Sequence, residues 1–168
     1  LSLLLVLFAA KAQYYFDDVE SYEPFTVNPT TGPWTFVDMD SGSTYRIGGY
    51  LWDNVLEPQA FIVFNPSLTD PEFTNTTGSP YSGNQYFACF RSFKRISPDE
   101  TVECPNNNWM ISPELSGLRP VKISFYARAF QGEQEKFRIA YSTTGNDIAN
   151  FTFLPATLPF VEMGENET

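Results

Sequence analysis

Along several short stretches of the chain, apolar and polar residues alternate with a period of two, as a half-buried antiparallel strand requires. Residues 121–129 and 136–142 carry this pattern most clearly, and the polar residues 131–135 between them predict a hairpin. Residues 60–64 form a continuous apolar run ended by Asn65 and Pro66, which predicts a strand buried on both faces. Residues 34–37, 85–90 and 109–111 predict further strands. No sustained run places apolar residues at three- and four-residue spacing, and thirteen prolines and ten glycines punctuate the chain. Short strands broken by frequent turns predict an all-β fold, a sandwich or jelly roll. Residues 69–84 form a long polar loop, which is either a binding loop on a rigid scaffold or a plain connection.

The two ends modify this picture. Residues 1–10 are an apolar run of signal-peptide length, too short to span a bilayer. Ala10 and Ala12 supply the small side chains that signal peptidase needs three before and one before a cut, so Gln13 is the expected mature start. The other reading of the run is a buried strand or helix. Residues 1–12 are thus expected to be a signal peptide that lacks its first residues, and 13–168 a single domain long enough to bury a core. No cysteine follows the apolar run to carry a lipid. Residues 165–168 are polar and close no sandwich, so the expected domain is truncated at its C-terminal end.

Composition then narrows the partners. The formal net charge is −10, one unit more negative without Lys11. That sign argues against nucleic acid and anionic lipid, which need positive charge to displace counterions, and no membrane insertion is expected of the mature domain. It suits a secreted or cell-surface protein, or one that collects divalent cations. An aromatic content of 17% is too much apolar area for a disordered chain. In an oxidising compartment Cys89 and Cys104 are available to pair. Their disulfide would close a loop of about fifteen residues and contribute roughly 3 kcal/mol. Two unpaired thiols are the alternative reading.

The chain has no histidine, which removes serine–histidine and cysteine–histidine catalysis and the commonest zinc sites. There is no C-x-x-C pair and no glycine-rich phosphate loop, and no carboxylate pair stands out for glycosidase chemistry. The chain itself is therefore expected not to be an enzyme. Acids do gather where turns are expected, at Asp17 and Asp18 and at Asp38 and Asp40. Alternating oxygen ligands in a glycine-containing turn suit Ca²⁺; a solvated aspartate turn has the same sequence.

Certain residues then carry a resemblance. Phe16-Asp17-Asp18, Trp34-Thr35-Phe36-Val37-Asp38-Met39-Asp40, Ser82-Gly83-Asn84, Asn108-Trp109-Met110-Ile111-Ser112-Pro113-Glu114-Leu115 and Tyr141-Ser142-Thr143-Thr144-Gly145-Asn146-Asp147 follow one another in order. The arrangement resembles the cleaved adhesin (choice-of-anchor J) family of Bacteroidetes surface proteins, related to gingipain-type haemagglutinin-adhesin regions. It covers about residues 14–168, and its most specific parts start at Trp109 and Tyr141. The resemblance implies a MAM-like jelly-roll β-sandwich, structural calcium, and adhesion or carbohydrate recognition. Asp17, Asp38, Asp40 and Asn108 are the implied metal ligands. Asp17 stands where the family more often has Glu, and the run around Asp38 and Asp40 departs from the full D-x-D-x-D-G pattern.

Two functions follow from these readings. The first is an exported, non-catalytic module that binds glycan or extracellular protein, with Tyr45, Tyr50, Trp52 and Tyr81 as ligand-stacking candidates in predicted loops. Core packing is the competing role for each of these rings. The second is an accessory domain of an exported peptidase or glycoside hydrolase whose catalytic part lies outside this chain.

Overall fold

The computed structural model describes residues 15–28, 30–115, 122–130, 134–154 and 161–163. The expected leader and cleavage point, and residues 165–168, lie outside the described residues. What is described is all-β: twelve short strands in five small antiparallel sheets, with three single 3-10 turns as the helical structure. None of its helices is long and apolar enough to cross a membrane.

The strands are β1 (Thr30–Thr31), β2 (Trp34–Asp38), β3 (Ser43–Thr44), β4 (Ile62–Phe64), β5 (Tyr86–Ala88), β6 (Ser92–Ser97), β7 (Glu100–Cys104), β8 (Asn108–Ile111), β9 (Glu135–Phe137), β10 (Ile139–Tyr141), β11 (Thr152–Leu154) and β12 (Val161–Met163). They pair in the orders β1-β2-β8, β3-β6-β7, β4-β5, β10-β11 and β12-β9.

The predicted doubly buried strand is β4, whose Ile62, Val63 and Phe64 have 0% exposure. Its ladder with β5 sets Ile62 opposite Ala88, Val63 opposite Phe87 and Phe64 opposite Tyr86. Because side chains alternate across a strand, the ribbon has two apolar faces. Ile62 and Phe64 pack with Phe25, Trp52 and Phe73, joined by Tyr86 and Ala88 at the cluster's edge. On the other face Phe87 meets Trp34 and Phe36 of β2 edge-on, at 5.7 and 5.2 Å between ring centroids. Burying a side chain of this size contributes about 1.5–3 kcal/mol, so this ribbon is the centre of the fold's stability.

Among the described residues the predicted hairpin of 121–129 with 136–142 forms no ladder, residues 121 and 131–133 lying outside them. Residues 122–130 make no ladder with a described strand, and the second segment is split at Arg138 into β9 and β10. β10 pairs with β11 and β9 with β12. Residues 122–130 lie instead along the 69–84 loop. Tyr126 stacks on Tyr81, the Arg128 guanidinium donates to the carbonyls of Thr76 and Ser79, and Phe130 rests on Phe73. Alternation fitted these residues to a strand, but Tyr126, Arg128 and Phe130 are spent on the loop, while Phe125 stands edge-on to Phe137 of β9. The hairpin that does form is β6–β7, with Arg91 and Glu103 paired at its base and Glu100 and Glu103 along its outer strand. β7 has a partner on one side only among the described residues.

Candidate functional site

Asp17 is a hub of hydrogen bonds. Its Oδ2 accepts from the hydroxyls of Tyr15, at 3.0 Å, and Tyr22, and from the indole N–H of Trp34 at 2.7 Å. Its Oδ1 accepts the Val19 N–H at 2.8 Å. Desolvation opposes the charged form, but the donors from Tyr22, Trp34, Val19 and Tyr15 outweigh it and hold the carboxyl below its usual range. The same charge, with burial as the larger cause, pushes the Tyr22 hydroxyl far up.

Three residues on, Glu20 does the same work against a different loop. Its carboxylate accepts the Asn84 N–H (2.8 Å), the Asn84 side-chain amide (2.9 Å) and the Gln85 N–H (3.1 Å). Buried Gln85 returns the contact by donating to the carbonyls of Val19 and Tyr22. Gly83, at φ +70°, brings the backbone so close that a Cβ would strike the Glu20 carboxylate. Two acids therefore tie the opening segment to β2 and to the start of β5 through protein donors. Sequence reasoning found Asp17 and missed Glu20 and Gln85. The signal for them was the Ser82-Gly83-Asn84 turn directly before a glutamine.

Asp38 and Asp40 stand elsewhere. Trp34 begins β2 and Asp38 ends it, so about 13 Å of extended strand separates them. Asp38 Oδ1 closes its own turn by accepting the N–H groups of Asp40 (3.0 Å) and Ser41 (2.7 Å). Asn108 sits opposite Asp38 in the β2–β8 ladder, on the same face, and its Oδ1 is buried without a partner. Asp40 reaches across to the chain after β7: Oδ2 accepts the Asn107 N–H at 2.7 Å, and Oδ1 accepts the Gly42 N–H at 3.0 Å.

Around Ser92 the balance of donors and acceptors is reversed. Its buried hydroxyl lies 3.1 Å from Asp40 Oδ1, 2.9 Å from the Cys104 carbonyl and 2.7 Å from Asn106 Oδ1. One hydroxyl proton serves three acceptors. Among the described residues no three acidic, cysteine or histidine side chains gather to hold a metal ion, so a cation here would rely on neutral oxygens beside Asp40.

The four implied metal ligands therefore do not form one group. Asp17 has both oxygens occupied by protein donors and does not fit a cation shared with the later turn. Asp38, Asp40 and Asn108 do gather at one end of β2, joined by Asn106, Ser92 and the Cys104 carbonyl.

Cys89 and Cys104 are free thiols, so the expected pairing is not made. Each sulfur has its own polar neighbours: the amides of Asn106 and Asn108 each approach Cys89 Sγ at 3.4 Å, and Cys104 Sγ lies 3.8 Å from Asp40 Oδ1. Cys89 is exposed as a residue, yet its sulfur is turned inward. Desolvation there raises the thiol pKa, with Glu135 and Asp40 adding to it and the two amides opposing.

The four ring candidates divide by burial. Trp52 is 7% exposed and belongs to the core cluster, with Phe64 and Phe90 against its ring. Tyr50 is half-buried and stands edge-on to Phe73. Tyr45 is partly open, with Phe93 at 4.7 Å and the Arg91 guanidinium over its ring. Tyr81 is the open one, 67% exposed, and its ring lies 3.5 Å from that of Tyr126 at an interplanar angle of 13°. Tyr126, itself 61% exposed, was not among the sequence candidates. A strand assignment hid it, since its partner across the stack is distant in the chain.

Comparison with protein-family models, with curated proteins and with solved structures finds no match for this chain.

Proposed function

We propose that the chain is a non-catalytic binding module that works outside the cell, on a MAM-like jelly-roll sandwich of the cleaved adhesin kind. Its ligand is a glycan or an extracellular protein, met at the surface formed by Tyr81 and Tyr126. The observation that carries the reading is that exposed, parallel pair of rings. Two stacked tyrosines, their hydroxyls bonded to each other, leave two large outer faces in water, a surface suited to sugar rings or to an aromatic patch on a protein. The loop beneath is held in place. Arg128 ties down its carbonyls, and the Tyr86 hydroxyl, pushed up to about 12 by burial, donates to the Gly78 carbonyl at 2.9 Å.

In the same reading calcium is structural and is held at the Asp40 end of β2. Asp40, Asn106, Ser92 and the Cys104 carbonyl are its ligands, with Asp38 and Asn108 beside them. The ion would there add positive charge beside the Asp40 carboxylate, where the Ser92 hydroxyl has one proton for three acceptors.

Binding of the full-length chain to glycan arrays and to immobilised matrix proteins tests the function. Tyr81→Ala and Tyr126→Ala should each weaken the strongest signal about tenfold, since stacking on an exposed ring is worth about 1 kcal/mol or more. Binding at background throughout, or binding that both variants leave unchanged, would refute it.

A further inference from the structure

We propose that a second feature, the cleft between the turn at 51–54 and the corner at 68–70, is a subsite for one basic side chain, a lysine or arginine of a protein partner. The inference rests on the binding reading above and narrows its ligand to a protein with an exposed basic residue. The cleft encloses about 280 Å³ and is lined by Phe25, Leu51, Trp52, Asp53, Leu68 and Asp70. Leu51 and Leu68 are exposed leucines of this lining, and Asp53 and Asp70 are exposed acids of it. Neither Asp53 nor Asp70 forms an ion pair with a described residue.

This lining asks for a ligand with two parts. An aliphatic stem sheds water against Leu51, Leu68 and Phe25, while a cationic head is met by two carboxylates. Lysine and arginine side chains have that construction. A neutral sugar does not match, because it needs donors as well as acceptors. The one side-chain N–H in the lining, Trp52 Nε1, is buried and shielded from solvent. The net charge of −10 draws cations towards the surface as a whole.

The walls are also fixed in advance. Leu51 and Asp70 exchange two backbone hydrogen bonds of 2.8 Å each, which joins the two sides of the cleft. The Asn54 side chain donates to the Phe25 carbonyl at 2.8 Å. Phe25, Asn54 and Leu56 have φ of 60°, 65° and 70°, a conformation that residues with a Cβ hold only when their surroundings enforce it. A cleft held rigid by its own backbone loses little freedom on binding.

The test titrates acetyl-Gly-Lys-Gly-amide and its norleucine isostere into isotope-labelled full-length chain, followed by amide chemical shifts. The lysine peptide should shift Leu51, Asp53 and Asp70 saturably and bind about fivefold more tightly than the norleucine peptide at low salt. Asp53→Asn with Asp70→Asn should erase that preference, and each single substitution should reduce it if the pair does not fold. Equal affinity for the two peptides, or no saturable shift, would overturn the proposal. The two readings fail separately. Saturation by lysine with array and matrix binding at background leaves the cleft standing and removes the wider function. Matrix binding without saturation by lysine does the reverse.

Discussion

Asp17 and Asp40 are both acids placed beside β2, and the fold uses them in opposite ways. Asp17 is surrounded by donors: two tyrosine hydroxyls, an indole and a backbone amide converge on two oxygens. Its negative charge is the resource, and the protein supplies everything needed to satisfy it. At the other end Asp40 accepts the Gly42 and Asn107 N–H groups, and a single Ser92 proton is shared among Asp40 Oδ1, Asn106 Oδ1 and the Cys104 carbonyl. The first site is complete as protein; at the second one hydroxyl proton faces three acceptors and Asn108 Oδ1 is buried without a partner, which is where the proposed cation would sit. An acid in a turn therefore says little by itself about metal. The count of donors facing it decides.

This contrast can be broken at either end. The largest effect should come from Asp17→Ala, which strips the acceptor from Tyr22 and Trp34 at once. A loss of about 3 kcal/mol in urea unfolding is expected, and Asp17→Asn should recover part of it. Full retention of stability would mean that the hub is ornamental. Gly83→Ala probes the companion clamp by forcing a Cβ onto Glu20 at positive φ, and should cost about 1–2 kcal/mol.

At the other end, calcium should raise the melting temperature of the full chain and a chelator should reverse it. A tenfold excess over Kd corresponds to about 1.4 kcal/mol. The response should vanish in Asp40→Asn and survive in Asp17→Asn. If Asp17→Asn abolishes it instead, the assignment of the two acids is inverted. The mildest test is acid. The folded-state pKa values of Asp17 and Glu20 are lowered, for Glu20 mainly by the Asn84 donors, so their contribution is complete above the unfolded values near 4 and is lost as pH falls through the folded ones. Stability should be flat from about pH 7 to 5 and decline below about 4, less steeply in Asp17→Asn.

The strands that sequence reading located best are those whose apolar character is local and unbroken. Residues 60–64 announced β4 because a strand buried on both faces needs no alternation, and residues 34–37 and 109–111 announced the β2–β8 pair. The β6–β7 hairpin escaped because most of its side chains are exposed and polar, leaving only the Pro98-Asp99 turn as a signal. Residues 122–130 erred in the other direction: the alternation is real, but Tyr126, Phe130 and the Arg128 guanidinium found partners in a loop, while Phe125 reaches β9, at Phe137. The candidate site was half legible. Asp38, Asp40 and Asn108 were found as a turn and its neighbour. That Asp17 stands apart depends on Tyr22 and Trp34 donating to it, and no spacing in the chain reveals a hydroxyl's direction.

The outer strand of the hairpin has a consequence for how the molecule behaves in a crowd. A strand with one open side offers a template on which another molecule can extend the sheet, and β7 carries Glu100 and Glu103 along that side. Glu103 is paired with Arg91, so between two such edges it is Glu100 that meets its own copy and repels, which keeps neighbours from zipping together. Glu100→Gln removes that repulsion while Val102 remains exposed to be buried. A single charge therefore keeps the edge to itself, and the Glu100→Gln chain should self-associate at concentrations where the parent stays dispersed.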